Sequence, residues 1–189
     1  MNAVSPREAG APASQILSDD QNPNAVAGSD PAVLADIYEA ETNIAMWQRS
    51  FSESFQRLVD EFVSSRQQPY LSMICAPKDA GSQLRKALGS AHFSPLADDA
   101  TELIDMFCCL FQLDQVGLRM TVLRDTMCPK FHVDHVPCRM VTTYAGVGTQ
   151  WLPNAVVKRD KLGIGSAGKS DQESGLYGSE ADIRQMASA

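Results

Sequence analysis

Apolar residues fall at helical spacing through much of the first two thirds of the chain. Phe51, Phe55, Leu58, Val59 and Phe62 recur every three or four positions and predict a helix from about Ser50 to Ser65 with one buried face. The stretch "SPLADDATELIDMFCCLFQL" carries the longest such stripe: Ala100, Leu103, Ile104, Phe107, Leu110 and Phe111. Asp98 and Asp99 suit the positive N-terminal end of its dipole. Two shorter helices are expected. "SDPAVLADIYEAE" has Asp30 as N-cap, Pro31 at the first helical position and Val33, Leu34 and Ile37 as its stripe. "DAGSQLRKALGS" closes at Gly89.

The period then drops from 3.6 to 2. Val116, Leu118, Met120 and Val122 alternate with Gly117, Arg119 and Thr121, the pattern of a half-buried strand. "CRMVTTYAG" reads as a second strand because it is rich in β-branched and aromatic residues. "PYLSMICAP" is a short apolar run bounded by prolines and reads as a buried strand, while "NIAMWQRS" is either a strand or a connection. Helices precede most strands. The expected class is therefore α+β, a helical N-terminal half packed on a partial antiparallel, jelly-roll-like C-terminal half.

Residues 1–29 are rich in Ala, Ser, Pro, Asn and Asp without periodicity, and are expected to be a disordered leader. Residues 30–160 are expected to form one globular domain. The polar, Gly/Ser-rich stretch 161–189 is expected to be a loosely ordered, weakly helical or divergent tail.

Composition narrows the function. Net charge is −7 with no basic run, so a phosphate-reading nucleic-acid face and an anionic-membrane face both lack electrostatic support. No apolar run reaches the roughly 18–20 residues needed to span a bilayer. The first 21 residues lack a signal peptide's basic start and apolar core. These features predict a cytoplasmic protein with a small-molecule or protein partner. Five cysteines at positions 75, 108, 109, 128 and 138 then read as thiols or ligands rather than a disulfide framework. Cys108 and Cys109 sit within the longest helix and are expected to be packing residues.

Candidate chemistry concentrates in "CPKFHVDHVPCRM", residues 128–140. His132 and Asp134 lie two apart, so an extended backbone points both side chains the same way. With a third ligand they would form the two-histidine, one-carboxylate triad of non-haem Fe(II) enzymes. Cys128, His132, His135 and Cys138 instead supply a Cys₂His₂ set for Zn(II). That set needs one short loop to wrap the ion. A third reading is purely structural: the Asp fixes a turn and Cys138 packs as a small hydrophobe. Arg139 is a candidate for binding a substrate carboxylate, or else pairs with Asp134 or Asp125. Tyr144 and Trp151 could line a pocket or belong to the core. Gly163, Gly168, Lys169 and Ser170 meet the phosphate-loop spacing, but no buried strand precedes them and no sustained helix pattern follows.

The segment "CPKFHVDHVPCRMVTTYAGVGTQWLPN", with "FCCLFQLDQVGLRMTVLRDTM" and "IAMWQR" upstream, resembles a bacterial family of unknown function, the domain numbered 1826, over roughly residues 30–160. The resemblance implies no reaction. Association of such proteins with zinc-homeostasis genes would imply a metal link. The segment also resembles, at motif level, the first metal-binding strand of Fe(II)- and 2-oxoglutarate-dependent dioxygenases. That implies His132 and Asp134 as ligands and "RMVTTYAG" as a jelly-roll strand. Both patterns supply a later histidine, whereas this chain has none after His135.

Overall fold

The computed structural model describes residues 24–65, 70–123 and 128–186. The expected leader lies largely outside them. Its last residues are ordered as strand β1 (Ala25–Gly28), which pairs in parallel with β2 (Ile44–Trp47). Between these strands Pro31–Tyr38 winds as a 3-10 helix rather than an α-helix. Its cap is the expected one: Asp30 accepts a hydrogen bond from the Ala32 amide at 2.8 Å. Val33, Leu34 and Ile37 are its three partly buried residues.

The main core is built from three α-helices and a two-stranded ribbon. Helix α1 (Glu53–Ser65) buries Val59 and Phe62, two members of the predicted stripe. Helix α2 (Pro77–Leu88) buries Ala80, Leu84 and Leu88, and stops at Gly89, whose φ of 76° is the left-handed conformation that favours glycine. Helix α3 (Ser94–Phe111) turns Ala97, Ala100, Ile104 and Cys108 inward. Leu103 and Phe107, also in the predicted stripe, are only partly buried. Phe111 of that second face packs against Tyr38 at 5.8 Å between ring centroids, and the Tyr38 hydroxyl donates to the Leu110 carbonyl. Cys108 is buried and Cys109 exposed, as adjacent helical positions must diverge.

Strand β3 (Tyr70–Cys75) pairs antiparallel with β4 (Val116–Thr121), Cys75 opposite Val116 and Leu71 opposite Met120. The alternation predicted for β4 is present. Val116, Leu118 and Met120 pack with Leu71 and Met73 against the helical core. Ile74 stands on the other face, 70% exposed.

The second half of the chain departs from expectation. "CRMVTTYAG" forms no strand. Among the described residues there is no jelly roll and no sheet of more than two strands. A β-rich sequence becomes a strand only where a neighbouring strand takes its backbone hydrogen bonds, and among the described residues none pairs with this stretch. The later chain instead carries short turns, β5 (Gln150–Trp151), the one-turn helix α4 (Asp171–Ser174) and β6 (Arg184–Gln185), which pairs with β5. The strands are thus spread along the chain rather than gathered at its end. The mixed α+β class stands.

The C-terminal stretch encloses buried groups of its own. Trp151, Leu176 and Tyr177 are buried outside the main apolar cluster. Lys158 donates its amide to the Leu176 carbonyl at 2.8 Å, and Met186 to Thr149 at 2.9 Å. A Cβ on Gly165 would sit 1.8 Å from the Asp160 carbonyl oxygen, so only glycine permits this turn. No helix of the described residues is long and apolar enough to cross a membrane.

Candidate functional site

Residues 128–140 adopt an irregular path whose start is fixed by the C-terminal turns. The Lys130 ammonium donates to the Ser166 hydroxyl at 3.3 Å and to the Lys169 carbonyl. The Phe131 amide donates to Asp171 Oδ2 at 2.7 Å, and the Phe131 ring meets Tyr177 edge-on at 6.0 Å. These contacts involve the Gly-Lys-Ser stretch that had the spacing of a phosphate loop. Ser170 caps α4 in a reciprocal capping box with Glu173. That one turn of helix, preceded by 3-10 turns rather than a strand, lacks the frame a phosphate loop requires.

From this anchor the chain presents His132, Asp134 and Arg139. His132 Nδ1 lies 3.1 Å from the Lys130 carbonyl oxygen. A carbonyl can only accept, so that contact requires the proton on Nδ1 and leaves Nε2 with the lone pair in the neutral ring. Nε2 faces Asp134 Oδ1 at 3.5 Å. The same oxygen takes the Arg139 guanidinium at 3.0 Å. Of Arg139's foreseen partners, Asp134 is therefore the one found, and Asp125 lies outside the described residues. The cluster is open: His132 and Arg139 side chains are about half exposed, and Asp134 about one third.

The other predicted ligands do not join this pair. Cys128 and His135 are exposed, and Cys138 is half-buried. Burial pushes the Cys138 thiol up, while a hydrogen bond from the Arg139 backbone pulls it partly back. Among the described residues no three His, Cys, Asp or Glu side chains come together in a group able to hold a metal ion. Neither the iron triad nor the zinc tetrahedron is assembled there. The carboxylate a metal would need is already paired with a cation.

Sequence reasoning missed a second, better buried constellation. Asp99, read only as a dipole partner, accepts from the Arg49 guanidinium with one carboxylate oxygen and from the Tyr144 hydroxyl at 2.6 Å with the other. Arg49 lies between Trp47 and Phe51, its guanidinium carbon 4.8 Å from each ring centroid. The Tyr144 ring stacks on Phe51 at 5.8 Å. Burial and the adjacent Asp99 carboxylate push the Tyr144 phenol well above its ordinary value, so it stays protonated. The cluster ties together the end of β2, α3 and the segment after Met140. A signal was available: in "WQRSF" aromatic residues flank Arg49 at two positions either side, the spacing that puts side chains on one face of an extended chain.

The molecule is thus a mixed α+β protein carrying an exposed, tethered polar segment beside a buried Arg–Asp–Tyr cluster. It belongs to the family described as protein of unknown function DUF1826, whose model matches residues 28–189. That match runs through the Gly/Ser-rich C-terminal stretch as well as residues 128–140. No curated protein and no solved structure matches the chain. The resemblance to dioxygenases gains no support from fold or ligand set.

Proposed function

We propose that this is a binding protein whose contact surface is the segment Cys128–Val141, and that its partner is another protein. One observation carries the reading: exposed apolar side chains stand on a segment whose start is anchored. Val133, Val136 and Val141 are 54%, 50% and 52% exposed, interleaved with His132, Asp134, His135 and Arg139. Scattered exposed valines are ordinary on a surface. Three within nine residues of a tethered, non-repetitive loop supply the apolar contact and polar rim of a recognition surface. The Asp134 carboxylate, paired with Arg139 and near His132, gives that surface a defined charge pattern.

The competing reading is the metal-associated one, with His132 and Asp134 as ligands to Fe(II) or Zn(II). Its support is the 3.5 Å approach of His132 Nε2 to Asp134. It requires Arg139 to leave the carboxylate and further ligands to arrive from elsewhere.

The test compares immobilised wild type with Val133→Asp/Val136→Asp, after circular dichroism has shown both folded. Proteins retained by the wild type and lost from the double variant support the reading. An identical retained set for the two forms removes it.

A further inference from the structure

Residues 138–143 have the makings of a strand and lack a neighbour. The chain runs through them without turn or bend. Burial alternates along it: Cys138, Met140 and Thr142 are half-buried, while Arg139 and Val141 stand about half exposed. Val141, Thr142 and Thr143 are β-branched and suit a pleated surface. Among the described residues, none from 132 to 148 gives or takes a backbone–backbone hydrogen bond. The Arg139 amide reaches only the Cys138 sulfur. The strands β3 and β4 pair with each other and not with this stretch. An extended backbone whose N–H and C=O groups are unpaired is a template for a further strand.

We propose that residues 138–143 pair, antiparallel and about a two-fold axis, with the same residues of a second copy of the chain. The sequence selects the register. Setting Val141 opposite the partner's Val141 puts Met140 opposite the partner's Thr142 and Arg139 opposite the partner's Thr143. Directly opposed residues share a face, so Arg139, Val141 and Thr143 fall on one side and Met140 and Thr142 on the other. The exposed valines then cover each other. The one charge of the strand meets a hydroxyl and keeps its contact with Asp134. A two-fold axis at Arg139 would oppose two guanidinium groups, and one at Met140 would set Arg139 against the partner's Val141. Main-chain hydrogen bonds supply the affinity and the alternate side chains the register. A self-complementary pair of this kind needs no second sequence, because every copy carries both halves. The contact is short, so the dimer is of the weak, concentration-dependent class. The proposal rests on the reading of residues 128–141 as a protein contact surface and names a second copy as its occupant.

Sedimentation equilibrium of the full chain, run from micromolar to millimolar concentration, should show the mass rise from one chain towards two. Val141→Lys sets two ammonium groups opposite each other at the two-fold axis and should weaken the association by about tenfold or more. Val147→Lys makes the same charge change at a residue 75% exposed and outside the stretch, and should leave the association unchanged. Amide hydrogen exchange of the wild type should slow with rising concentration at alternate residues of 139–143, the pattern of a newly paired antiparallel edge. That pattern decides the matter if Val141→Lys does not fold. A wild type that stays monomeric at millimolar concentration overturns the pairing alone, since retention of a different protein by the surface around Val133 and Val136 is measured separately. A dimer indifferent to Val141→Lys, equally weakened by Val147→Lys, or without slowed exchange in 139–143 overturns it as well.

Discussion

The helical core and the segment after β4 are held by different forces. In the core, Leu84 and Ala97 are fully buried, Leu96 and Leu88 nearly so, and the stabilisation is apolar area removed from water. Residues 128–149 contain no regular element. They are attached at points: Lys130 to Ser166 and Lys169, Phe131 to Asp171 and Tyr177, Tyr144 to Asp99. Burial spread over many residues resists local change. A segment fixed at a few polar points is exposed between them, and there it can contact other molecules. The difference predicts a graded response to substitution.

The largest effect should come from the core. Leu84→Ala removes a fully buried side chain and should cost about 3 kcal/mol of unfolding free energy in urea, with an unchanged m-value. Asp99→Asn should follow at about 2 kcal/mol, because it leaves the Arg49 cation buried without a counter-charge. A loss as small as that of a surface substitution would mean that the cluster is wet. Asp171→Ala removes one hydrogen bond at the tether and should cost about 1 kcal/mol. It should speed hydrogen exchange of the Phe131 amide while amides within α3 keep their protection. If α3 loosens equally, the two regions unfold as one and the contrast fails.

Thiol reactivity sharpens the contrast without changing stability. Cys109 and Cys128 are exposed and should react promptly with a disulfide reagent at neutral pH. Cys75 and Cys108 are buried, and desolvation raises both thiols, so they should react only on unfolding. The sign is plain: a raised thiol pKa leaves less thiolate at any given pH.

The helices were legible because an apolar stripe at helical period is a direct consequence of burying one face. Strand β4 was legible for the corresponding reason at period 2 and β3 as an apolar run between prolines, whereas their pairing was not legible. "CRMVTTYAG" misled because β propensity describes a fit to a neighbouring strand that the sequence alone does not locate. The Gly/Ser-rich C-terminus carries no apolar period to read. Its glycines serve turns such as that at Gly165, and around Leu176 and Tyr177 those turns close on buried side chains. His132 and Asp134 were legible as a pair from their spacing. The attachment of Arg139 to Asp134 was one of three foreseen alternatives. The Arg49–Asp99–Tyr144 cluster joins residues 50 and 45 positions apart, and the aromatic spacing around Arg49 does not say which carboxylate and phenol it meets.

The central claim is that residues 128–141 act as a contact surface rather than a metal site, and metal content of protein purified without a metal-affinity tag separates these two readings most directly. Elemental analysis should find iron and zinc well below one per chain, with no difference between wild type and His132→Ala/Asp134→Ala. One equivalent of either metal in the wild type, lost from the double variant, would contradict the account and establish His132 and Asp134 as ligands.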